Sequence, residues 1–117
     1  MASPVSTWIA KGVARTLWEG VTTSSTTNGA ETAAGLPDKT VYVTGTFNTG
    51  VVTIEGSNNT ATGPYVDCVD PQGNAIAFSA DGMEAILENP QFIRPRVSGA
   101  TGGTDVDVIM ISRGAVR

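Results

Sequence analysis

From Lys39 onward apolar and polar residues alternate. In Lys39 to Phe47 (KTVYVTGTF), Val41, Val43 and Phe47 fall on one face, and Tyr42, Thr44 and Thr46 on the other. A two-residue period is that of a strand with one buried face. Asn48-Thr49-Gly50 follows, a three-residue connection ending in Gly, and Val51 to Glu55 is apolar again. The combination predicts a β-hairpin with Gly50 at positive φ. Gly56 to Pro64 reads as a loop, Tyr65 to Val69 as a strand, and Asp70-Pro-Gln-Gly-Asn74 as a turn. Ala75 to Phe78, Gln91 to Val97 and Asp105 to Ser112 continue the strand series. Met83 to Glu88 is too short for its period to separate a strand from one helical turn. With Val13 to Trp18 added, seven or eight short strands are expected. Their spacing predicts an all-β chain, an antiparallel β-sandwich or jelly roll, in one domain over residues 13–117 with its strands between Val13 and Ser112.

The first 38 residues have a different texture. Two apolar bursts, Thr7 to Ala10 and Val13 to Trp18, precede a Ser/Thr-rich stretch at about residues 20–38 with neither period. Residues 1–12 are therefore expected to form an extended N-terminal arm, and residues 20–38 a long loop ordered by what surrounds them. Trp8 and Trp18 have two readings: anchors that fasten this region to the sandwich, or side chains buried against another chain. Trp8, Ile9, Trp18, Tyr42 and Phe92 make up the candidate subunit or partner interface.

The stretch QFIRPRV concentrates positive charge. Arg94 and Arg96 share a face with Phe92, while Ile93, Pro95 and Val97 share the other. A hairpin joining this strand to Asp105 to Ile111 would set Arg96 against Asp105, Arg94 against Asp107 and Phe92 against Ile109. Such cross-strand ion pairs satisfy both arginines and disfavour a slipped register. That structural reading is preferred to an anionic ligand or subunit contact. Pro95 cannot donate to a ladder, which predicts an edge strand, and an edge is where another subunit docks.

Composition narrows the chemistry. The 117 residues carry a net charge of −4, with 15% charged residues and no histidine. Acidic balance argues against nucleic acid, which is bound by neutralising phosphates. The absence of histidine removes the usual general base and the commonest metal ligand. Cys68 is the single cysteine and is expected to be a small buried hydrophobe rather than an activated thiol. Asp67, Asp70 and Asn74 could surround a calcium ion, but their spacing suits a turn better. Glu55 and Glu84 are the remaining carboxylates weighed for catalysis, and nothing in the sequence sets them in a cleft. No enzyme activity and no cofactor are expected. No apolar run approaches bilayer-spanning length, and MASPVSTWIAKG lacks the pattern of a secretory signal. A soluble protein made in a reducing cytoplasm is the expectation, with no membrane partner.

Gly45-Thr46-Phe47, Glu55-Gly56-Ser57, Asp70-Pro71-Gln72-Gly73-Asn74 and Phe92-Ile93-Arg94-Pro95 together resemble small β-rich virion proteins of tailed bacteriophages, of the capsid decoration or cement type. The likeness covers about Val41 to Ser112 and rests on turn and strand elements. It implies a structural protein on the outer capsid surface of the virion. Such a protein would act as a dimer or trimer, bind the major capsid protein and stabilise contacts between its subunits. The alternative is a carbohydrate- or receptor-binding sandwich module of a phage tail, in which Trp8, Trp18 or Tyr42 would meet the ligand.

Overall fold

The computed structural model describes residues 3–22, 29–32 and 35–114. Much of the expected loop at 20–38, and the last three residues, lie outside them. Among the described residues there are ten strands and no helix. They are β1 (Pro4–Ala10), β2 (Val13–Val21), β3 (Glu31–Thr32), β4 (Asp38–Thr46), β5 (Val51–Ser57), β6 (Val66–Asp67), β7 (Ala77–Phe78), β8 (Gly82–Ile86), β9 (Phe92–Ser98) and β10 (Asp105–Arg113). Met83 to Glu88, ambiguous by period, is largely strand β8.

The strands form two antiparallel sheets. Sheet A has the order β1-β2-β10-β4-β8; sheet B has β3-β9-β5-β6, with β7 also pairing with β5. Leaving β1 aside, the chain changes sheets at every connection except those among β5, β6 and β7. This is the two-sheet order of a jelly roll, so the expected all-β sandwich is what the chain forms. Of the expected N-terminal arm, Pro4–Ala10 is extended, as strand β1. β1 adds to the edge of sheet A, pairing Val5 with Leu17 and Trp8 with Ala14.

The two inner faces supply the core. Trp18, Val41, Val43, Ile86, Val106, Val108 and Met110 come from sheet A, and Val52, Ile54, Phe78, Ile93 and Val97 from sheet B. Every one is less than 9% exposed. Alternation thus selected the buried face of β4, β9 and β10 as expected.

Strand partners differ from the expectation in two places. β4 and β5 are not a hairpin, and neither are β9 and β10, because each pair is divided between the sheets. A strand that turns back beside its neighbour and one that arches over to the facing sheet show the same alternation, so the period cannot tell them apart. The local chemistry of the two arches does. Asn48 and Thr49, not Gly50, have positive φ, at 48° and 71°. Gly50 is needed for space instead, since a Cβ there would lie 2.9 Å from the Phe47 carbonyl oxygen. Buried Thr104, in the β9–β10 arch, donates its hydroxyl to that same carbonyl at 2.8 Å. Asn48 Nδ2 donates to Thr101 Oγ1 at 2.7 Å, and Thr49 Oγ1 donates to the Gly99 carbonyl at 2.9 Å. The two arches are stapled side by side at one end of the sandwich.

Candidate interaction surfaces

The ion pairs expected between β9 and β10 do not form, because those strands lie in different sheets. Arg94 and Arg96 find their partners on sheet B, where β5 pairs with β9 in a register that sets Glu55 beside Arg94 and Thr53 beside Arg96. Arg94 Nε lies 2.7 Å from Glu55 Oε2, and Arg96 Nη1 lies 3.2 Å from Glu55 Oε1. Arg96 also reaches Asp67 on β6, at 3.2 Å. The Arg94 guanidinium sits 3.7 Å from the centre of the Tyr65 ring, a stacked cation–π contact. Burial raises the Tyr65 phenol above its ordinary pKa, against the opposing effect of Arg94. Glu55 is only 3% exposed. Two guanidinium groups on one buried carboxylate make this a satisfied structural cluster, as the preferred reading of the arginines had it, with different partners. The strand of Pro95 is not the edge strand expected: β9 lies between β5, which pairs with it along its length, and β3, which among the described residues pairs with it at Phe92 and Ile93.

Asp105 and Asp107 sit at one end of sheet A. Asp107 Oδ1 accepts a hydrogen bond from the Gly20 amide at 3.0 Å. They line a shallow depression with Glu19, Gly20, Thr44 and Gly45. Among the described residues no three His, Cys, Asp or Glu side chains converge to hold a metal ion. The calcium candidates are dispersed as well: Asp67 pairs with Arg96, while Asp70 Oδ1 accepts from the Gln72 and Asn74 amides at 3.0 and 2.9 Å. That is an Asx turn.

Cys68 is 3% exposed, and burial pushes its thiol up to about 12. A thiol held protonated in this way is a poor nucleophile. Lys39 had no sign in the sequence of an unusual position, beyond heading a strand. It is 1% exposed on the inner face of sheet A, where its ammonium donates to Asn89 Oδ1. Burial lowers its pKa to about 8.

The candidate interface residues separate. Trp18 is buried in the core at 1% exposure, with Nε1 donating to the Gly29 carbonyl at 2.7 Å. It is an anchor and has no surface to offer a partner. Trp8 and Ile9 are 70% and 54% exposed on β1. Cross-strand pairing puts Trp8 on the same side of sheet A as Trp18, but on the edge strand β1 rather than on β2. There it borders a cavity of about 200 Å³ lined also by Ser6, Thr16, Leu36, Met110 and Ser112. Ser6 Oγ and Thr16 Oγ1 hydrogen-bond to each other at 2.8 Å. Phe92 is half-buried beside Ser57.

Tyr42 is 39% exposed and belongs to a larger feature. On the outer face of sheet A, Val5 pairs with Leu17, Leu17 with Ile109, Ile109 with Tyr42, and Tyr42 with Met83. One unbroken apolar row therefore crosses all five strands. Val5 and Met83, at its ends, are 62% and 63% exposed. Sequence reasoning identified only Tyr42, because the row exists only once five distant segments are aligned.

A comparison with protein-family models finds no match, and neither curated proteins nor solved structures yield one.

Proposed function

We propose that this chain is a structural interaction protein of the capsid decoration type, carried on the outside of a tailed-phage head. The reading rests on the resemblance over Val41 to Ser112 and on one structural observation. β1 is exposed along almost its whole length and carries Val5, Trp8 and Ile9 on an edge strand whose far side pairs with nothing among the described residues. Monomeric proteins cover or charge such edges. A long apolar edge beside a cavity suits a strand that docks on a neighbouring subunit, with Trp8 as its aromatic anchor. Decoration needs many weak, identical contacts, and repetition over a shell makes them strong together. The partner in this reading is the major capsid protein.

Copy number in purified particles tests the reading. Quantitative mass spectrometry is expected to find this chain in a simple ratio to the shell subunit, and complete absence from particles would sink it. The Trp8→Ala/Ile9→Ala double variant is expected to keep its fold and lose occupancy on the head.

The glycan-binding alternative draws on Trp8 beside its hydroxyl-lined cavity. It predicts that Trp8→Ala abolishes retention on a glycan array while particle occupancy stays unchanged.

A further inference from the structure

The outer face of sheet A is apolar across its middle and oppositely charged at its two ends. Along β2, Arg15 lies two residues before Leu17 and Glu19 two residues after it. Along β10, Asp105 lies four residues before Ile109 and Arg113 four residues after it. The strands are antiparallel, with Arg15 beside Ile111 and Val13 beside Arg113. Both arginines therefore occupy one end of the face, and both carboxylates occupy the other. Asp107 and Asp81 strengthen the acidic end, where Asp81 accepts from Thr44 Oγ1 at 3.0 Å and the Gly45 amide at 3.1 Å. Asp38, beside Arg113, offsets part of the basic end. Among the described residues, no ion pair within the chain involves Arg15, Glu19, Asp105 or Arg113.

We propose that two copies of this chain stack through the outer faces of their A sheets. The two-fold axis would run along the row of Val5, Leu17, Ile109, Tyr42 and Met83. Rotation about that axis leaves the apolar row on itself and reverses strand direction. A residue a given number of positions before the row then faces one the same number after it. Arg15 meets the partner's Glu19, and Arg113 meets the partner's Asp105, each pair twice because the interface is isologous. Thr40 faces the partner's Thr44 by the same rule, since both flank Tyr42 by two residues. A two-fold along the strands instead would lay the acidic end on itself, which like charges disfavour. Stacked sheets lie about 10 Å apart, within reach of an arginine and a carboxylate extended toward each other.

The size also fits. Five strands about 4.8 Å apart, with up to nine residues at about 3.3 Å each, give a planar footprint of about 600–700 Å². Side-chain relief carries that toward the ~800 Å² per partner of a standard interface. β2 bulges at Glu19 and Gly20, two residues opposite the single Asp107, and a bulge of this kind re-aims a side chain out of the regular pleat. This inference needs no capsid and stands whether or not the decoration reading does.

Sedimentation velocity of the purified full chain tests it. The wild type is expected to run as a dimer, at twice the 12.0 kDa chain mass. Arg15→Glu and Glu19→Arg are each expected to weaken the dimer about tenfold, since both copies of the pair become repulsive. Mixing the two variants in equal amounts is expected to restore dimer, because a chain with two carboxylates then faces one with two arginines. Thermal melts of each variant check that both are folded. Tyr42→Ser, which alters no charge, is expected to weaken the dimer without recovery on mixing. A wild type monomeric at about 100 µM, a trimer, or variants that associate no better mixed than alone would overturn the proposal.

Discussion

Sheet B keeps its charges to itself, whereas sheet A leaves them for something else. On sheet B, Arg94 and Arg96 are folded over Glu55 and Asp67, Tyr65 stacks under Arg94, and the central carboxylate is almost wholly removed from water. On sheet A, arginines and carboxylates stand at opposite ends of a bare apolar row. The difference follows from spacing. Glu55 and Arg94, directly opposed on neighbouring strands of sheet B, meet within the chain. Charges four residues apart on one strand are separated by about 13 Å and do not. A face of the first kind is finished by folding, while one of the second kind is complementary to itself only when turned over.

The largest expected effect breaks the finished face. Glu55→Ala leaves Arg94 and Arg96 without their shared carboxylate and is expected to lower unfolding stability by about 3 kcal/mol. Urea unfolding measures it, and a loss below about 1 kcal/mol would mean that the cluster is incidental to the face. Next comes the staple between the two sheets. Thr104→Val removes the buried hydroxyl that donates to the Phe47 carbonyl and accepts from the Thr101 amide, and is expected to cost about 1–2 kcal/mol by the same measurement.

A smaller effect separates the inner from the outer side of sheet A. The Lys39 pKa falls from 10.5 to about 8 on folding. Above pH 8 the unfolded chain holds the Lys39 proton more firmly than the folded one, so stability should rise as pH increases from about 8 to about 9, where Cys68, held protonated by burial up to about 12, begins to offset the rise. Below pH 8 both states are protonated and this contribution is flat. Lys39→Met should abolish the rise, and a wild-type profile with no upward slope in that window would show that the buried ammonium keeps its proton. The smallest effect on folding belongs to the bare face. Met83→Ser is expected to change unfolding in dilute solution by less than about 0.5 kcal/mol while weakening self-association. A large stability loss there would mean that the row serves the monomer.

Much of this molecule can be read from alternation. The buried faces of β4, β9 and β10, the Asx turn at Asp70 and the buried character of Cys68 all follow from residue type and a two-residue period. Trp8 and Trp18 show where such reading ends. Both occupy N-terminal apolar bursts and both lie on the same side of sheet A, yet one is core and the other is open: Trp18 stands on β2, between two strands, and Trp8 on the edge strand β1. The arginines show it again. Their face and their need for carboxylates were legible, but their partners were taken from β10, when β5 and β6 supply them. What the sequence determined by itself is which side of each strand avoids water, because that depends on neighbours along the chain. Which strands lie side by side was decided only by the tertiary structure. Hairpin and arch bury the same residues, and the choice is made by Thr104, Gly50 and the left-handed turn at Asn48 and Thr49 acting across more than fifty residues of sequence.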